Sequence, residues 1–573
     1  MLYSELVEVY EKLQSASERL KKNEILAGLL KKSDEKTLPK IALLVQGKVF
    51  PSWAEEEIGI SGLLMAKVIS MATGFSATEI GDLYKQLGDF GLVAEKLCGK
   101  KRQKTLFQVP LTIDKVFENI RRLASVEGKG SQDTKFRMVS ELISSARPKE
   151  SKYIVRTVLG DLRVGVAEGV VRDSIVMAFI SKGRPLKECR DGTNAVEWAW
   201  FLRPDYGEVA LIARRDGMEG LKKVRLKPGS PYHVLLAEKS PGLEEALQAF
   251  RNPSLEYKYD GARIIIHKKG DRVWLYTRRL ENVTKQFPEL KPLVMKAVRA
   301  RDCIMEGEML GIDRKTGDPM PFQLLSQRIK RKYDIERMVK EIPIQVNLFD
   351  IVYLNGRELF NRPLSERRKL LEETVEPVPK KFQMARMIVT KDLKQARAFY
   401  EEALDARQEG LIVKNLDADY QPGRRVGYWL KVKPIMETLD LTITGALWGT
   451  GKRAGVLSSF ILACRTDEGF ADCGMMGTGI KEKPEEGLSF EQLTEMLKPG
   501  ITGETKEGVK IKPSMVVEVA YEEIQKSPTY SSGFALRFPR IVKVRPDKGP
   551  QEADDIDRVK ALFSAQFKRQ EPA

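Results

Sequence analysis

The sequence predicts a protein of three domains, an all-α domain followed by an α+β domain and a small β-barrel. Three changes of pattern predict this order. Apolar residues recur at helical spacing from position 2 to about position 222. The segment KPGSP at residues 227–231 cannot continue a helix, and after it the apolar period changes to two. Beyond Pro434 the apolar runs are short, strand-like and separated by glycines, as in small barrels.

The domain boundaries follow from the same changes. At 573 residues the chain is too long for one core, because a domain holds roughly 100–200 residues. We assign residues 1–228 to the all-α domain, 229–433 to the α+β domain and 434–573 to the barrel. Within the barrel, strands are expected at residues 441–447, 458–464 and 514–521.

The composition indicates neither a membrane protein nor a disordered one. Apolar residues make up 42% of the chain and charged residues 31%, which is the balance of a folded soluble protein. No apolar run approaches the roughly 20 residues that a membrane helix needs, and residues 1–12 lack a signal-peptide core. We therefore expect a cytoplasmic protein with no membrane partner.

Cysteine and histidine are sparse. The five cysteines are scattered without a CxxC pair, which argues against a disulfide framework and against a Cys-rich zinc site. His233 and His267 are the only histidines, which disfavours a multi-histidine metal site and a Ser-His-Asp mechanism. The chemistry must rest on lysine, arginine and carboxylates.

The chain is basic, with 97 Lys and Arg against 80 Asp and Glu and a net charge of +17. Such a balance favours a polyanionic partner, DNA or RNA, through the release of counterions. The alternative is that lysine and glutamate simply solvate the surface, and charge alone does not decide between the two.

A lysine between two carboxylates is the first candidate for chemistry. The segment LEYKYDG at residues 255–261 alternates, so in a strand Glu256, Lys258 and Asp260 share one face. Taken alone, the pattern is better explained by a half-exposed strand whose lysine forms a surface ion pair. The residues Gly261, Ala262 and Arg263 that follow change that balance.

KYDGAR at residues 258–263 resembles the nucleotide-attachment motif of covalent nucleotidyltransferases, the superfamily of DNA ligases, RNA ligases and mRNA capping enzymes. The resemblance implies that the Lys258 amine attacks the α-phosphate of a nucleotide. It implies further that Glu256 and Arg263 hold the adenine and the ribose-phosphate, and that Asp260 orients groups in the last step. A free lysine, with a pKa of about 10.4, is almost wholly protonated at neutral pH, so cations or burial are needed nearby.

Three further motifs of the superfamily follow in the expected order. TRRLEN at residues 277–282 comes after a KKGD turn, so the hairpin brings Arg278 back toward the strand of Lys258. EGE at residues 306–308 resembles the next motif, whose last carboxylate, Glu308, contacts the ribose or a metal. NLFDI resembles the third, in which Phe349 stacks on adenine; taken singly, Phe349 would suit a core position.

EGLIVK at residues 409–414 resembles the motif in which Glu409 helps to hold Mg²⁺ and Lys414 contacts phosphate. The two residues are an odd number apart, so a regular strand would direct them to opposite faces. Either Gly410 marks a bulge, or only one of the two faces the nucleotide.

The remaining motifs supply cations. WLKVK at residues 429–433 resembles the motif whose lysines contact the α-phosphate, here Lys431 and Lys433, and Arg425 just upstream is a further phosphate contact. RFPR resembles the last motif, carried on the barrel domain, which orients the pyrophosphate when that domain closes. Its two guanidinium groups belong to Arg537 and Arg540, and such forks suit phosphate oxygens.

The helical region resembles the DNA-binding domain of archaeal and eukaryotic DNA ligases, which capping enzymes lack. The matching stretch is YIVRTVLGDLRVG at residues 153–165, where Arg156 and Arg163 are candidate DNA contacts. The alternative for both is a solvated helix face. The scattered cysteines cannot build the four-cysteine zinc module of NAD-dependent ligases, so ATP is the expected nucleotide. The resemblance makes the α+β region an adenylation domain and the barrel an OB-fold.

The function implied by the resemblance is an ATP-dependent DNA ligase of archaeal type that seals nicks in duplex DNA through lysyl-AMP and DNA-adenylate intermediates, in replication, repair and recombination. The expected cofactors are ATP and Mg²⁺, with Mn²⁺ as the alternative, and Glu308 and Glu409 are the candidate metal ligands. The alternatives are an RNA ligase, a capping-type enzyme or a non-catalytic DNA-binding scaffold.

Two further expectations concern partners. QKTLF resembles a sliding-clamp-binding peptide, in which Gln103, Leu106 and Phe107 plug a clamp pocket, although packing between a helix and a loop explains these residues equally well. We expect a monomer that encloses nicked duplex DNA and, in an archaeal cell, is associated with the nucleoid.

Overall fold

The computed structural model describes residues 1–101, 110–128, 130–331, 333–434, 436–449, 453, 455–505 and 508–568. The clamp-peptide candidates Gln103, Leu106 and Phe107 lie outside the described residues. Within these ranges no single helix has the length and apolarity of a membrane span, whereas the bent pair Gly62–Thr73 and Ala77–Leu87 reaches that threshold when taken together.

The first part of the chain is helical, as predicted. It forms α1 (Tyr3–Ser15), α2 (Arg19–Lys32), α3 (Leu38–Leu44), α4 (Gly62–Thr73), α5 (Ala77–Leu87), α6 (Phe90–Cys98), α7 (Ile113–Arg122), α8 (Ser131–Ser145), α9 (Pro148–Val158), α10 (Glu168–Ile175), α11 (Arg190–Leu202) and α12 (Tyr206–Lys222). Helix α1 shows why these segments are helices, because Leu6, Tyr10 and Leu13 recur at one-turn spacing and are fully buried.

Arg156 was predicted to contact DNA, but the structure buries its side chain. Arg156 lies in α9, is only 4% exposed, and pairs with Asp89 at 3.0 Å. Its guanidinium also donates to Gln14 at 3.1 Å, so the buried group is already bonded within the protein. Arg163 is different: its side chain is 49% exposed, although it too pairs with Asp89, at 3.2 Å.

The middle region contains two sheets. Its strands are β1 (Glu238–Lys239), β2 (Pro253–Tyr257), β3 (Ala262–Lys269), β4 (Arg272–Thr277), β5 (Asp302–Gly311), β6 (Ile344–Leu354), β7 (Arg357–Glu358), β8 (Phe382–Met384), β9 (Met387–Val389), β10 (Leu411–Asn415) and β11 (Trp429–Val432). Its helices are α13 (Leu243–Gln248), α14 (Leu290–Ala297), α15 (Phe322–Ile329), α16 (Ile335–Glu341), α17 (Leu364–Thr374) and α18 (Leu393–Asp405).

The strand order places the motifs on facing sheets. One sheet runs β1-β11-β10-β2-β9 and the other β4-β3-β5-β6-β7, with β8 beside β6. The predicted hairpin is confirmed, since β3 and β4 pair antiparallel from Lys269 and Arg272 outward. The sheets meet where Phe349 of β6 packs edge-on against Trp429 of β11, with ring centroids 5.8 Å apart.

The helical and middle regions share one continuous core. Trp198 of α11 packs against Phe360 with ring centroids 5.7 Å apart, and Glu197 pairs with Arg424 at 3.1 Å. Tyr232, in the connection between the regions, is buried in the same core. The connection is therefore part of the core that the helical and middle regions share.

The last region is built mainly of strands: β12 (Leu439–Trp448), β13 (Leu457–Thr466), β14 (Gly469–Met476), β15 (Ile501–Glu504), β16 (Gly508–Ile511), β17 (Val516–Ala520), β18 (Glu523–Lys526), β19 (Phe534–Arg537) and β20 (Arg540–Val544), with α19 (Phe490–Leu497) and α20 (Ile556–Lys568). The three predicted strands correspond to β12, β13 and β17. They belong to a seven-stranded sheet in which β17 pairs with both β12 and β20.

Candidate active site

Lys258 lies just beyond the end of β2, where the strand still pairs with its neighbour. Its backbone N–H donates to the Gly410 carbonyl at 2.8 Å, and the Glu409 N–H donates to the Lys258 carbonyl at 2.9 Å. The side chain is 20% exposed, and its Nζ lies 2.7 Å from a carboxylate oxygen of Glu409. The proposed nucleophile is thus fixed through its backbone and paired at its amine.

Gly410 explains how both ends of the EGLIVK motif face the site. Its φ is +133°, which breaks the alternation of the strand immediately before β10. A Cβ at this position would lie 2.3 Å from the Val432 carbonyl oxygen, so only glycine fits. Glu409 therefore points to Lys258, while Lys414 points into the space between the sheets.

Three carboxyl groups of the site differ in the direction of their pKa shifts. Burial would raise the pKa of Glu409, but Lys258 and Lys433 outweigh it and hold that pKa well below its usual range. Burial, assisted by neighbouring Glu409 and Asp260, raises the pKa of Glu308 to about 7. Burial together with Glu409 also raises the pKa of Asp260. Glu308 and Asp260 hold protons more readily than ordinary carboxyl groups do.

The predicted cations form two groups, one around Lys258 and one around Arg263. Burial and the nearby ammonium groups of Lys433 and Lys258 lower the pKa of Lys431. Burial and the guanidinium groups of Arg263 and Arg425 lower the pKa of Arg278. Like charges held this close repel one another, and an anion such as a phosphate relieves that repulsion.

An aromatic slot lies beside these cations. Its walls are Phe349 and Trp429, and the Lys414 Nζ lies 4.3 Å from the centre of the Phe349 ring and 4.4 Å from that of Trp429. The Arg263 guanidinium sits 5.2 Å from the Phe349 ring centre. The slot holds cationic groups against aromatic faces.

Glu256 closes the slot and pairs with Lys414 at 2.5 Å, with both side chains buried. Lys414 was predicted to contact phosphate, but in the structure it contacts Glu256 and the rings of Phe349 and Trp429. Burial lowers the pKa of Lys414, and the attraction of Glu256 opposes that shift. On the other side of Glu256 lies Arg368, 3.9 Å away, which the sequence motifs did not single out.

Glu306 is a second residue whose role the sequence did not reveal. It is completely buried and pairs with the Arg263 guanidinium, and it accepts a hydrogen bond from the Tyr420 hydroxyl at 2.5 Å and another from the Tyr232 hydroxyl. Burial would lower the pKa of Arg263, but Glu306 raises it. Glu306 and Glu308 are two residues apart on β5 and share one face, so the sequence could have indicated that Glu306 lies near Glu308. The residues next to Tyr232 and Tyr420 in the sequence gave no indication that these hydroxyl groups bond to Glu306.

The last region reaches the site through Arg537. A cavity of about 230 Å³ lies between the middle region and the last region. The residues that line it include Asp260, Glu409, Lys433 and Arg537. Arg537 pairs with Glu523 at 3.1 Å. Arg540 is exposed on β20 and does not line the cavity.

The donor set suits a metal that is shared with a ligand. Within the described ranges, no three His, Cys, Asp or Glu side chains are grouped so that they could hold a metal ion by themselves. Glu308 and Glu409 remain as two carboxylates close enough to influence each other's charge. Mg²⁺ is typically held by one or two carboxylates together with substrate phosphates, and this pair fits that arrangement.

Models of three consecutive regions of one protein family match the chain. Residues 2–176 match "DNA ligase N terminus", residues 234–433 match "ATP dependent DNA ligase domain", and residues 453–548 match "ATP dependent DNA ligase C terminal region". The middle match ends at Lys433, immediately after β11.

Relatives match along the whole chain. The DNA ligase of Nanoarchaeum equitans is 46% identical over 571 residues, which is 99% of each chain. The DNA ligase of Thermococcus onnurineus is 42% identical over 569 residues, covering 99% of this chain and 98% of the relative. A solved structure titled "Pmar-Lig_Pre." has a TM-score of 0.56 at 15% identity and covers 94% of this chain and 99% of its own, which shows likeness of fold alone.

Proposed function

The chain belongs to the ATP-dependent DNA ligases, and from this premise we propose that it seals nicks in duplex DNA through an AMP carried on Lys258. The family and the activity rest on matches along the whole chain. The residue roles rest on the geometry around Lys258, and the single observation that carries them is that Lys258 and Lys433 both pair with Glu409, at 2.7 Å and 2.5 Å.

In the first step the neutral amine of Lys258 attacks the α-phosphorus of ATP. A P–N bond forms, the bond to the pyrophosphate oxygen breaks, and the amine proton leaves to solvent. Lys431, Lys433 and Arg425 stabilise the negative charge that develops on the phosphate oxygens. Arg537 and Arg540 orient the leaving pyrophosphate when the last region moves onto the nucleotide.

The aromatic slot takes adenine against Phe349. Glu256, a carboxylate, only accepts hydrogen bonds, and Lys414, an ammonium, only donates them. Adenine offers a 6-amino donor beside a ring-nitrogen acceptor, so the pair complements its edge, whereas guanine offers the opposite order. Arg263, held by Glu306, lies where the ribose follows the base.

The second and third steps transfer the AMP and then release it. The 5′-phosphate at the nick attacks the lysyl-AMP phosphorus and displaces Lys258, which gives an adenylated DNA end. The 3′-hydroxyl then attacks that 5′-phosphorus, the phosphodiester bond forms and AMP leaves. Asp260, which lines the cavity between the middle and last regions, orients groups in this last step.

Glu308 and Glu409 would hold Mg²⁺, with Mn²⁺ as the alternative, together with the phosphates. A bound divalent ion supplies Lewis-acid stabilisation of charge on phosphate oxygens. Glu308, whose pKa is about 7, must lose its proton to serve as a ligand.

The remaining assignments concern DNA and partners. The seven-stranded sheet of the last region is an OB-fold. The protein is a monomer whose three regions enclose the duplex. Contacts to DNA phosphates, to which Arg163 contributes, provide most of the binding. Residues 103–107 bind a sliding clamp, and the enzyme acts at the nucleoid in replication, repair and recombination.

A labelling experiment tests the proposal. With [α-³²P]ATP and Mg²⁺, the wild type is expected to become labelled and to seal a nicked duplex, and Lys258→Ala to do neither. Lys269→Ala, on an exposed hairpin end, serves as the matched control and should behave as wild type. Label retained by Lys258→Ala, or labelling with GTP in preference to ATP, would contradict the assignment.

A further inference from the structure

Arg368 lies behind the base slot and contacts Glu256, Leu348 and Ala385. Its guanidinium lies 3.9 Å from the Glu256 carboxylate and donates to the carbonyl of Leu348 at 3.5 Å and to that of Ala385 at 3.1 Å. Leu348 directly precedes Phe349, the ring proposed to stack on adenine. One side chain thus joins the base acceptor, the stacking strand and the segment between β8 and β9.

The charges around Glu256 show why this contact matters. Glu256 is 3% exposed and lies between two cations, Lys414 at 2.5 Å and Arg368 at 3.9 Å. Lys414 also fills the slot between Phe349 and Trp429, so a base that enters must displace it from the rings. Once Lys414 has turned to the ring nitrogen of the base, Arg368 is the cation that stays beside Glu256.

We propose that Arg368 sets the base specificity of the nucleotide site, by holding Glu256 in place as an acceptor while adenine takes the position of Lys414. The proposal rests on the assignment of the slot to adenine made above. Arg368 is a positioning residue, because it reaches the base only through Glu256 and the Phe349 strand. A carboxylate that is free to turn would tolerate guanine, whose carbonyl oxygen a fixed Glu256 oxygen repels.

The neighbouring arginine has a different role. Arg367 pairs with Asp350 at 2.9 Å, both side chains are fully buried, and it donates to the Arg362 and Ala418 carbonyls. Its contacts hold helix α17 against β6. Arg368 also pairs with Glu372 at 2.7 Å on the half-exposed side of α17, away from the slot.

The experiment compares Arg368→Met, Arg368→Lys and the control Glu372→Gln in the full-length protein. Labelled ATP, GTP and purine riboside triphosphate, which lacks the 6-amino group, are supplied with Mg²⁺, and the initial rate of covalent labelling is measured against nucleotide concentration. Glu372→Gln removes the outward partner of Arg368 and leaves its contact with Glu256.

For Arg368→Met we expect the KM for ATP to rise about 10-fold with little change in kcat, and the preference for ATP over GTP to fall about 10-fold, since a misplaced polar partner costs that order of discrimination. The preference for ATP over purine riboside triphosphate should fall likewise. Arg368→Lys should restore part of each ratio, and Glu372→Gln should keep the wild-type ratios.

The outcomes separate the two proposals. If the wild type is not labelled by ATP, the assignment of Lys258 fails, and with it the premise of this experiment. If the wild type is labelled and Arg368→Met keeps the wild-type ratios, Arg368 has no part in specificity. If Arg368→Met unfolds, the ratios of Arg368→Lys decide, and ratios equal to those of wild type overturn the proposal.

Discussion

Glu409 and Lys258 form an ion pair at 2.7 Å although Glu409 stands outside the regular strand β10, and Gly410 makes this possible. The backbone turn at Gly410 separates the direction of Glu409 from that of the strand residues behind it. The pair holds the proposed nucleophile beside the carboxylate assigned to the metal. Its geometry thus depends on one residue that has no side chain.

Gly410→Ala is expected to reduce labelling of Lys258 by ATP strongly and to lower the free energy of unfolding by about 1–3 kcal/mol, because the new Cβ meets the Val432 carbonyl and the backbone cannot keep its positive φ. Labelling rates and urea unfolding measure the two effects. Gly503→Ala, where a Cβ meets nothing within 4 Å, is the control and should change neither. Normal labelling by Gly410→Ala would show that Glu409 is positioned in another way.

Glu308→Gln is expected to stabilise the unliganded protein at pH 8 while abolishing its activity. The folded-state pKa of Glu308 is about 7, above its ordinary value of 4.5, so the native state binds more protons and the protein loses stability as pH rises through that window. A neutral glutamine removes the free-energy cost of ionising Glu308 in the folded protein, which is on the order of 1–3 kcal/mol. Urea unfolding at pH 8 and at pH 4.5 measures it, and an equal gain at both values would exclude titration as the cause.

The metal requirement should depend on pH in the same window. Because Glu308 is protonated below about pH 7, the Mg²⁺ concentration that gives half-maximal labelling should fall as the pH rises from 6 to 8. Labelling rates across Mg²⁺ concentrations at each pH provide the measurement. A half-maximal concentration that stays constant from pH 6 to pH 8 would count against Glu308 as a ligand.

Arg156→Ala should lower the free energy of unfolding and leave DNA binding unchanged. Removing the guanidinium leaves Asp89 buried with a weaker partner, which is expected to cost roughly 3 kcal/mol, while the affinity of the folded protein for nicked DNA stays unchanged. Arg163→Ala is the matched comparison: its side chain is half exposed, so stability should change little and DNA affinity should fall. Denaturation and binding titrations at fixed salt separate the two, and weaker DNA binding by folded Arg156→Ala would restore it as a contact.

The sequence by itself determined the order of the regions and the β3–β4 hairpin, and it singled out Glu409 and Lys433, which the structure brings together with Lys258. These features depend on near neighbours in the chain. Apolar period distinguishes helix from strand, and the alternation of side chains puts Glu306 and Glu308 on one face of β5. The roles proposed for Lys258 and Glu409 come from the resemblance to the superfamily motifs, because no periodicity encodes them.

Only the tertiary structure decided which partner each charge would find. Lys414 pairs with Glu256, 158 positions earlier in the chain, and Arg156 pairs with Asp89, 67 positions away. Both pairings follow from burial, since a charge removed from water needs a counter-charge within a few ångströms, and packing alone determines which one is available. Arg368 beside the base slot and the two tyrosines on Glu306 stand where they do for the same physical reason.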